Sequence, residues 1–208
     1  MRFIKDCEKA LGKHVQILKS EQYKNVEEAV LSFGGFINKY NHFAPCTNWL
    51  KKRVRKEWEE KHKEYEITYV WGLDYNETQR AERIRESSKE FNHCFPLIER
   101  GLTKENAHAI LAQLGIKRPL MYEMGYNNNN CVGCIKGGMG YWNKIRIDFP
   151  EVFKKRADLE RKIGFSILKN NDGSPLFLDE LKEDRGEKPK KISTECDIFC
   201  YAMAEQWG

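Results

Sequence analysis

Apolar positions in this chain fall into short helical and strand-like runs separated by polar breaks. Residues 3–11 read as a helix that closes at Gly12. Residues 14–18 (His-Val-Gln-Ile-Leu) alternate and are β-rich, which predicts a strand. In 23–33, Val26, Ala29, Val30 and Phe33 recur at helical spacing, and Gly34-Gly35 closes the run. Regular pattern lapses over 38–45. A helix then opens across 46–53 and carries Val54 and Trp58, with Thr47 or Asn48 as its expected N-cap. Residues 66–73 form the clearest strand, near-continuously apolar and so expected to be buried on both faces. Residues 77–88 read as helix. Thr103 is the expected N-cap of a further helix, with Ala107, Ile110, Leu111 and Leu114 on one side and a stop at Gly115. Residues 149–163 are strongly amphipathic, with Pro150 in the first turn. Two short apolar runs, 165–168 and 176–178, flank Asn171-Asp172-Gly173 and predict a hairpin.

Alternating helices and strands without a long meander argue for an α/β sheet with helices on its faces. The expected division is an α/β domain over 1–120 and a Cys-bearing extension over 121–208 packed on it. The 208 residues suffice for a real core without staples. No run approaches the roughly 18 apolar residues of a membrane span, and the first residues lack the order of a secretory signal. Seven Cys argue against a complete disulfide framework and for a reducing, cytoplasmic setting.

Charge changes the picture locally. The net charge is +5, and Lys51-Lys52-Arg53-Val54-Arg55-Lys56 concentrates it. Two readings stand: a solvated lysine-rich surface, or a face for an anionic partner, either nucleotide or nucleic acid. An anion near the start of that helix would also meet free backbone N–H groups. Asp74 is expected at the carboxyl end of a parallel-type strand, where open α/β sheets place their ligands. Arg80 and Arg83 follow about one helical turn apart, on a ligand-facing surface or simply on a solvated Glu/Arg helix.

The densest chemistry lies in 127–142. Four Asn, Cys131-Val132-Gly133-Cys134, the glycines 137, 138 and 140, and Tyr141-Trp142 share sixteen positions. Cys-x-x-Cys places two sulfurs on one tight loop, as zinc or an iron–sulfur cluster needs and as a dithiol redox pair needs. Cys196 and Cys200 would complete a four-thiolate set for zinc or a [4Fe–4S] cluster. A redox pair at Cys131/Cys134, or inert thiols, are the alternatives. Glu195 and Asp197 disfavour a low-pKa nucleophile at Cys196. Cys46 reads as a small packing residue, with a fifth functional thiol as the second reading; Cys7 and Cys94 read as core, and no pair of the five His has metal spacing. Tyr141 and Trp142 read as anchors of the loop to the core, with base stacking as the second reading.

Several of these residues together resemble one family. Cys46-Thr47-x-x-Leu50-Lys51, the Gly72-Leu73-Asp74 strand end followed by Glu77-x-x-Arg80, the Cys131-x-x-Cys134-x-Lys-Gly-Gly-x-Gly-Tyr-Trp loop and the terminal Glu195-Cys196 look like the phosphoadenosine phosphosulfate (PAPS) reductase family of the PP-loop superfamily. The likeness spans about residues 3–200 and is nearest to short members carried by phages and mobile elements. It implies a doubly wound parallel sheet, with helices on both faces, that binds an adenine nucleotide. Lys51, Lys52 and Arg53 would face phosphate or sulfate, and Arg80 would help on the same side. The family's Ser-Gly-Gly-x-Asp-Ser phosphate loop occurs nowhere in this sequence. The expected sheet is therefore a truncated one. Its exposed edge would be covered by a protein partner or a second copy.

Two functions follow. One is a divergent PAPS-reductase-like protein that handles an adenylylated or sulfur-bearing nucleotide and carries a metal-bearing Cys cluster. If active, it is a reductase or a nucleotidyl- or sulfur-transfer enzyme. The other is a non-catalytic remnant that acts as a binding protein, inhibitor or regulator through a protein or nucleic acid. The missing loop argues against ordinary activity.

Overall fold

Local side chains set some of the helix ends, and the computed structural model, which describes residues 1–37 and 44–187, shows how. In chain order the elements are α1 (Arg2–Leu11), α2 (Val26–Phe33), α3 (Pro45–Thr47), a π-helical segment (Asn48–Lys52), α4 (Arg53–Lys61), β1 (Thr68–Val70), α5 (Thr78–Ser87), β2 (Asn92–Cys94), α6 (Pro96–Glu99), α7 (Lys104–Gln113), α8 (Leu120–Glu123), α9 (Met139–Asp148), α10 (Pro150–Ile163), β3 (Leu168–Lys169) and β4 (Pro175–Leu176). Asn25 caps α2 by accepting from Glu28 N, and Thr103 caps α7 in a reciprocal box with Asn106. The helix expected to begin at Thr47 or Asn48 begins earlier. Ala44 is its N-cap and Pro45 takes the first position, where its missing N–H costs nothing.

The architecture is mixed α/β. β1 and β2 pair in parallel, with Thr68 opposite Asn92 and Val70 opposite Cys94, and α5 lies in the crossover between them. β3 and β4 pair antiparallel around the predicted Asn171-Asp172-Gly173 turn. Among the described residues no third strand joins β1 and β2. The strand expected over 66–73 is shorter than its apolar run because its partner offers only three residues. Two further bonds, Asn92 N to Ile67 O (3.2 Å) and Trp71 N to Cys94 O (2.9 Å), extend the pairing. Val70 is 70% exposed, so burial on both faces does not hold. Residues 14–18 form no strand either. Among the described residues they have no ladder partner; Val15 N donates to Glu8 Oε1 (2.8 Å) and Gln16 Oε1 accepts from the Trp58 indole (3.2 Å).

The described chain divides into two units. The first comprises residues 1–19 and 52–119, the second 20–37, 44–51 and 120–187. Residues 20–37 and 44–51 thus share a unit with the Cys-bearing 120–187.

The first unit has a small core of Leu73, Ala81, Ile84 and Phe95, flanked by Trp71 and Ile98. None of the residues of α1 or α7 is buried, and Ile110 and Leu114, on the apolar side of α7, are exposed. The second unit carries a larger core built on Tyr141, Trp142, Ile145, Leu176 and Leu178. A further cluster joins Val30, Phe36, Ala44, Ile135 and Leu159. The carboxylate of Glu160, fully buried on α10, accepts from Ile167 N (2.5 Å) and Leu178 N (2.6 Å), tying the hairpin region to the helix.

Candidate functional site

The Cys131–Cys134 turn is shaped by what lies beneath it. Gly133 has φ +72°, and a Cβ there would sit 2.5 Å from Val152 Cγ1. Only glycine allows both that backbone and that approach. A Cβ on Gly137 would likewise fall 2.0 Å from the Tyr141 ring. The closeness of this ring has a purpose: the Tyr141 hydroxyl accepts from Cys134 N (2.9 Å) and donates to Cys131 O (3.0 Å), bridging both ends of the Cys-x-x-Cys turn. Burial, as the largest influence, pushes the Tyr141 phenol up to about 12, so it stays a neutral hydroxyl able to do both. Tyr141 and Trp142 are thus buried anchors of the loop. Cys131 is exposed, Cys134 is half-buried, and the two form no disulfide with each other.

Below this turn lies Arg156 of α10, 7% exposed. Its Nε donates one long hydrogen bond to Gly133 O (3.4 Å). Among the described residues Nη1 has no hydrogen-bond acceptor and faces Glu27 Oε1 at 3.6 Å. Burial pulls the guanidinium pKa below its ordinary value; Glu27, Cys46, Cys134 and Tyr141 oppose that pull, in that order. Two thiols from distant parts of the sequence therefore act on one buried cation. Cys46 packs against the cluster that contains Ile135, the residue after Cys134. In the sequence Cys46 reads first as a packing residue, with a fifth functional thiol as the second reading. No spacing rule links positions 46, 134 and 156, so the link was not legible.

Cys131 and Cys134 are soft donors in kind, two thiols on one constrained turn. Among the described residues no group of three or more His, Cys, Asp and Glu is gathered closely enough to hold a metal. Cys196 and Cys200 lie outside the described residues.

The anion-binding candidates have structural employment. Asp74 follows β1 on its carboxyl side and is buried; its carboxylate accepts from Asn76 N (2.8 Å). Glu77 Oε2 accepts from Asp74 N (3.2 Å), closing a capping box, and Glu77 Oε1 pairs with Arg80. Asp74, Glu77 and Arg80 thus form one connected polar chain. Arg53 pairs with Glu57 (3.2 Å) on α4, while Lys52 and, in the second unit, exposed Lys51 lie on the π-helical segment.

Two further features of the first unit have no signal in sequence spacing. His93 Nδ1 accepts from Trp71 Nε1 (3.0 Å), and its Nε2 lies 2.8 Å from Ser88 O and 3.0 Å from Ser88 Oγ. The donor–acceptor pattern fixes the proton on Nε2 and satisfies both ring nitrogens. A cleft of about 600 Å³ opens beside Ile67 and Asn92, the amino-end side of β1 and β2, opposite the end where α/β sheets place ligands. Glu59, Glu60, Glu66, Glu90, Tyr65 and Phe91 line it. Burial raises the Glu59 carboxyl pKa, and the Tyr69 hydroxyl donates to it. No helix is long and apolar enough to cross a membrane among the described residues. No protein-family model, no curated protein and no solved structure matches this chain.

Proposed function

We propose that this chain is a divergent PAPS-reductase-like protein whose working centre is a metal-binding thiolate cluster, with an adenylylated or sulfur-bearing nucleotide as its ligand. The observation that carries the reading is the Cys131–Cys134 turn, bridged by the Tyr141 hydroxyl and underlain by buried Arg156. A turn fixed before the ion arrives loses little conformational freedom on binding. Cys131 and Cys134 would supply two ligands and Cys196 and Cys200 the others, for zinc or a [4Fe–4S] cluster. When bound, zinc would brace the loop, and a cluster would supply one-electron chemistry. The protein supplies the constrained turn, the buried cation and the apolar bed of Trp142 and Val152. Under this reading β1 and β2 are the remaining centre of a truncated doubly wound sheet. Asp74 and Arg80 would stand at its ligand end, and Lys51, Lys52 and Arg53 would supply the positive face toward phosphate or sulfate.

The test has two arms on the full chain purified without oxygen. Calorimetric titration with ATP, AMP and PAPS is expected to give micromolar binding of at least one. An absorbance spectrum is expected to show either a broad visible band with iron, or zinc without one. No nucleotide binding together with no metal would overturn the reading.

A second reading is favoured by one observation. Asp74, Glu77 and Arg80 satisfy one another within the chain, as a structural cap does. That supports a non-catalytic binding protein, inhibitor or regulator acting on a protein or nucleic acid. Metal without nucleotide binding, and a partner retained through purification, would select it.

A further inference from the structure

The Cys131–Cys134 turn supports a chemistry that needs no ion. Residues 131–134 make one tight turn with Val132 and Gly133 at its apex, and Gly133 has φ +72°. A type II turn requires a positive φ at its third residue, and a turn brings its first and fourth Cα atoms within about 7 Å. A disulfide needs Cα atoms about 4.4–6.8 Å apart, so this backbone stands within reach of one. The Tyr141 hydroxyl holds the same two ends, accepting from Cys134 N (2.9 Å) and donating to Cys131 O (3.0 Å). Tyr141 is buried, so the clamp is anchored in the core. The two cysteines differ in access. Among the described residues Cys131 is the one exposed cysteine, whereas Cys134 is half-buried and packs against the large core. An accessible thiol beside a sheltered one suits stepwise exchange. An outside disulfide reaches the first, and the second, held close by, resolves the product.

We propose that Cys131 and Cys134 are a thiol–disulfide exchange pair whose substrate is a low-molecular-weight disulfide, with Cys131 as the attacking sulfur and Cys134 as the resolving one. In the first step Cys131, as the thiolate, attacks one sulfur of the outside disulfide. That S–S bond breaks, one thiolate leaves and takes up a proton, and Cys131 is left in a mixed disulfide. Cys134 then gives its proton to solvent and attacks the Cys131 sulfur, expelling the second thiolate, which is protonated in turn. Two electrons pass from the pair to the outside disulfide, which ends as two thiols, and the Cys131–Cys134 bond has formed. The same steps in reverse, with those thiols as reductant, restore the pair. The inference stands apart from the metal-centre reading, because it uses these two sulfurs alone and a bound ion would hold both.

The test is equilibration of the reduced full chain in mixtures of glutathione and glutathione disulfide, with a chelator present throughout, then acid quench, alkylation and peptide mass mapping. Both cysteines fall in one tryptic peptide, 118–136, apart from the chain's other five. An internal disulfide in that peptide is expected. Because the turn is pre-organised, its equilibrium constant against glutathione should exceed that of the same chain unfolded in urea by about tenfold or more. Cys134→Ser should stop at the mixed disulfide of Cys131 with glutathione, and Cys131→Ser should form its own more slowly. Circular dichroism reports the fold, and the wild-type constants decide the matter even where a variant does not fold. No internal disulfide in the folded chain, a folded constant no higher than the unfolded one, equal rates in the two variants, or Cys131 paired with a cysteine of another peptide would each overturn the proposal. The chelator removes any ion, so failure here leaves the metal-centre reading standing, and a metal-free protein leaves this one.

Discussion

The two units solve the problem of stability differently. The second buries large side chains in depth: Trp142, Tyr141, Ile145 and Leu178 are essentially inaccessible, and a second cluster adds Val30 and Phe36. The first gathers four buried apolar residues into its core cluster, its helices α1, α6 and α7 bury nothing, and its parallel pair leaves Val70 in solvent. In place of depth it uses directed polar contacts: the Trp71–His93–Ser88 series, the Asp74–Glu77–Arg80 chain, and Arg55 and Tyr69 on Glu59. Burial fixes a shape that a reactive loop can lean on. A thin core held by hydrogen bonds is easier to open locally. The better-packed unit is also the one that carries the Cys turn.

The largest expected effect is Trp142→Ala. Removing a fully buried indole is expected to destabilise the second unit by about 3–5 kcal/mol, measured by denaturant unfolding. A loss below about 1 kcal/mol would erase the contrast between the units. Tyr141→Phe comes next. It leaves Cys134 N without its acceptor, at an expected cost of about 1–3 kcal/mol. Because the hydroxyl bridges the turn, Cys134 should also react faster with a thiol reagent, while Cys94 in the first unit should not change.

Glu160 gives the comparison a pH axis. Burial, as the largest influence, holds its carboxyl up at about 7 against an ordinary value of 4.5, so the folded unit binds the proton more tightly than the unfolded chain. Its contribution is fully present below pH 4.5 and is lost as pH rises through about 7. The Tm of the second unit should therefore fall over that window. Glu160→Gln should flatten this slope, and should also destabilise the unit at every pH because an amide N–H would face the backbone N–H of Ile167 or Leu178.

The smallest expected effect lies in the first unit. Trp71→Phe keeps most of the packing but strips His93 Nδ1 of its donor, at an expected cost of about 1 kcal/mol by thermal unfolding. A cost similar to that of Trp142→Ala would show that polar contacts, rather than burial, dominate the first unit as heavily as burial dominates the second.

What could be read from the sequence follows the range of the interactions. Helix α7 was legible in its cap and its end because Thr103, Asn106 and Gly115 act on their near neighbours. The hairpin around Asn171-Asp172-Gly173 was legible for the same reason. The extent of β1 was not, since it depends on a partner 24 positions on, Asn92 opposite Thr68. The apolar alternation of 14–18 predicted a strand, but alternation without a partner edge makes no ladder. At the site, the Cys-x-x-Cys turn and its two aromatic anchors stood out in the sequence. Arg156 did not, because in the pattern of α10 it is one of several basic residues, and only packing shows which of them is buried.

The central claim is that the turn pinned by Tyr141 belongs to a metal-binding thiolate centre. The most direct measurement is metal content per chain, by mass spectrometry, of wild type and of a Cys131→Ser/Cys134→Ser double variant, both purified without oxygen. The account predicts stoichiometric zinc or iron in the wild type and none in the variant. Metal-free wild-type protein, or the same metal content in both, would contradict it.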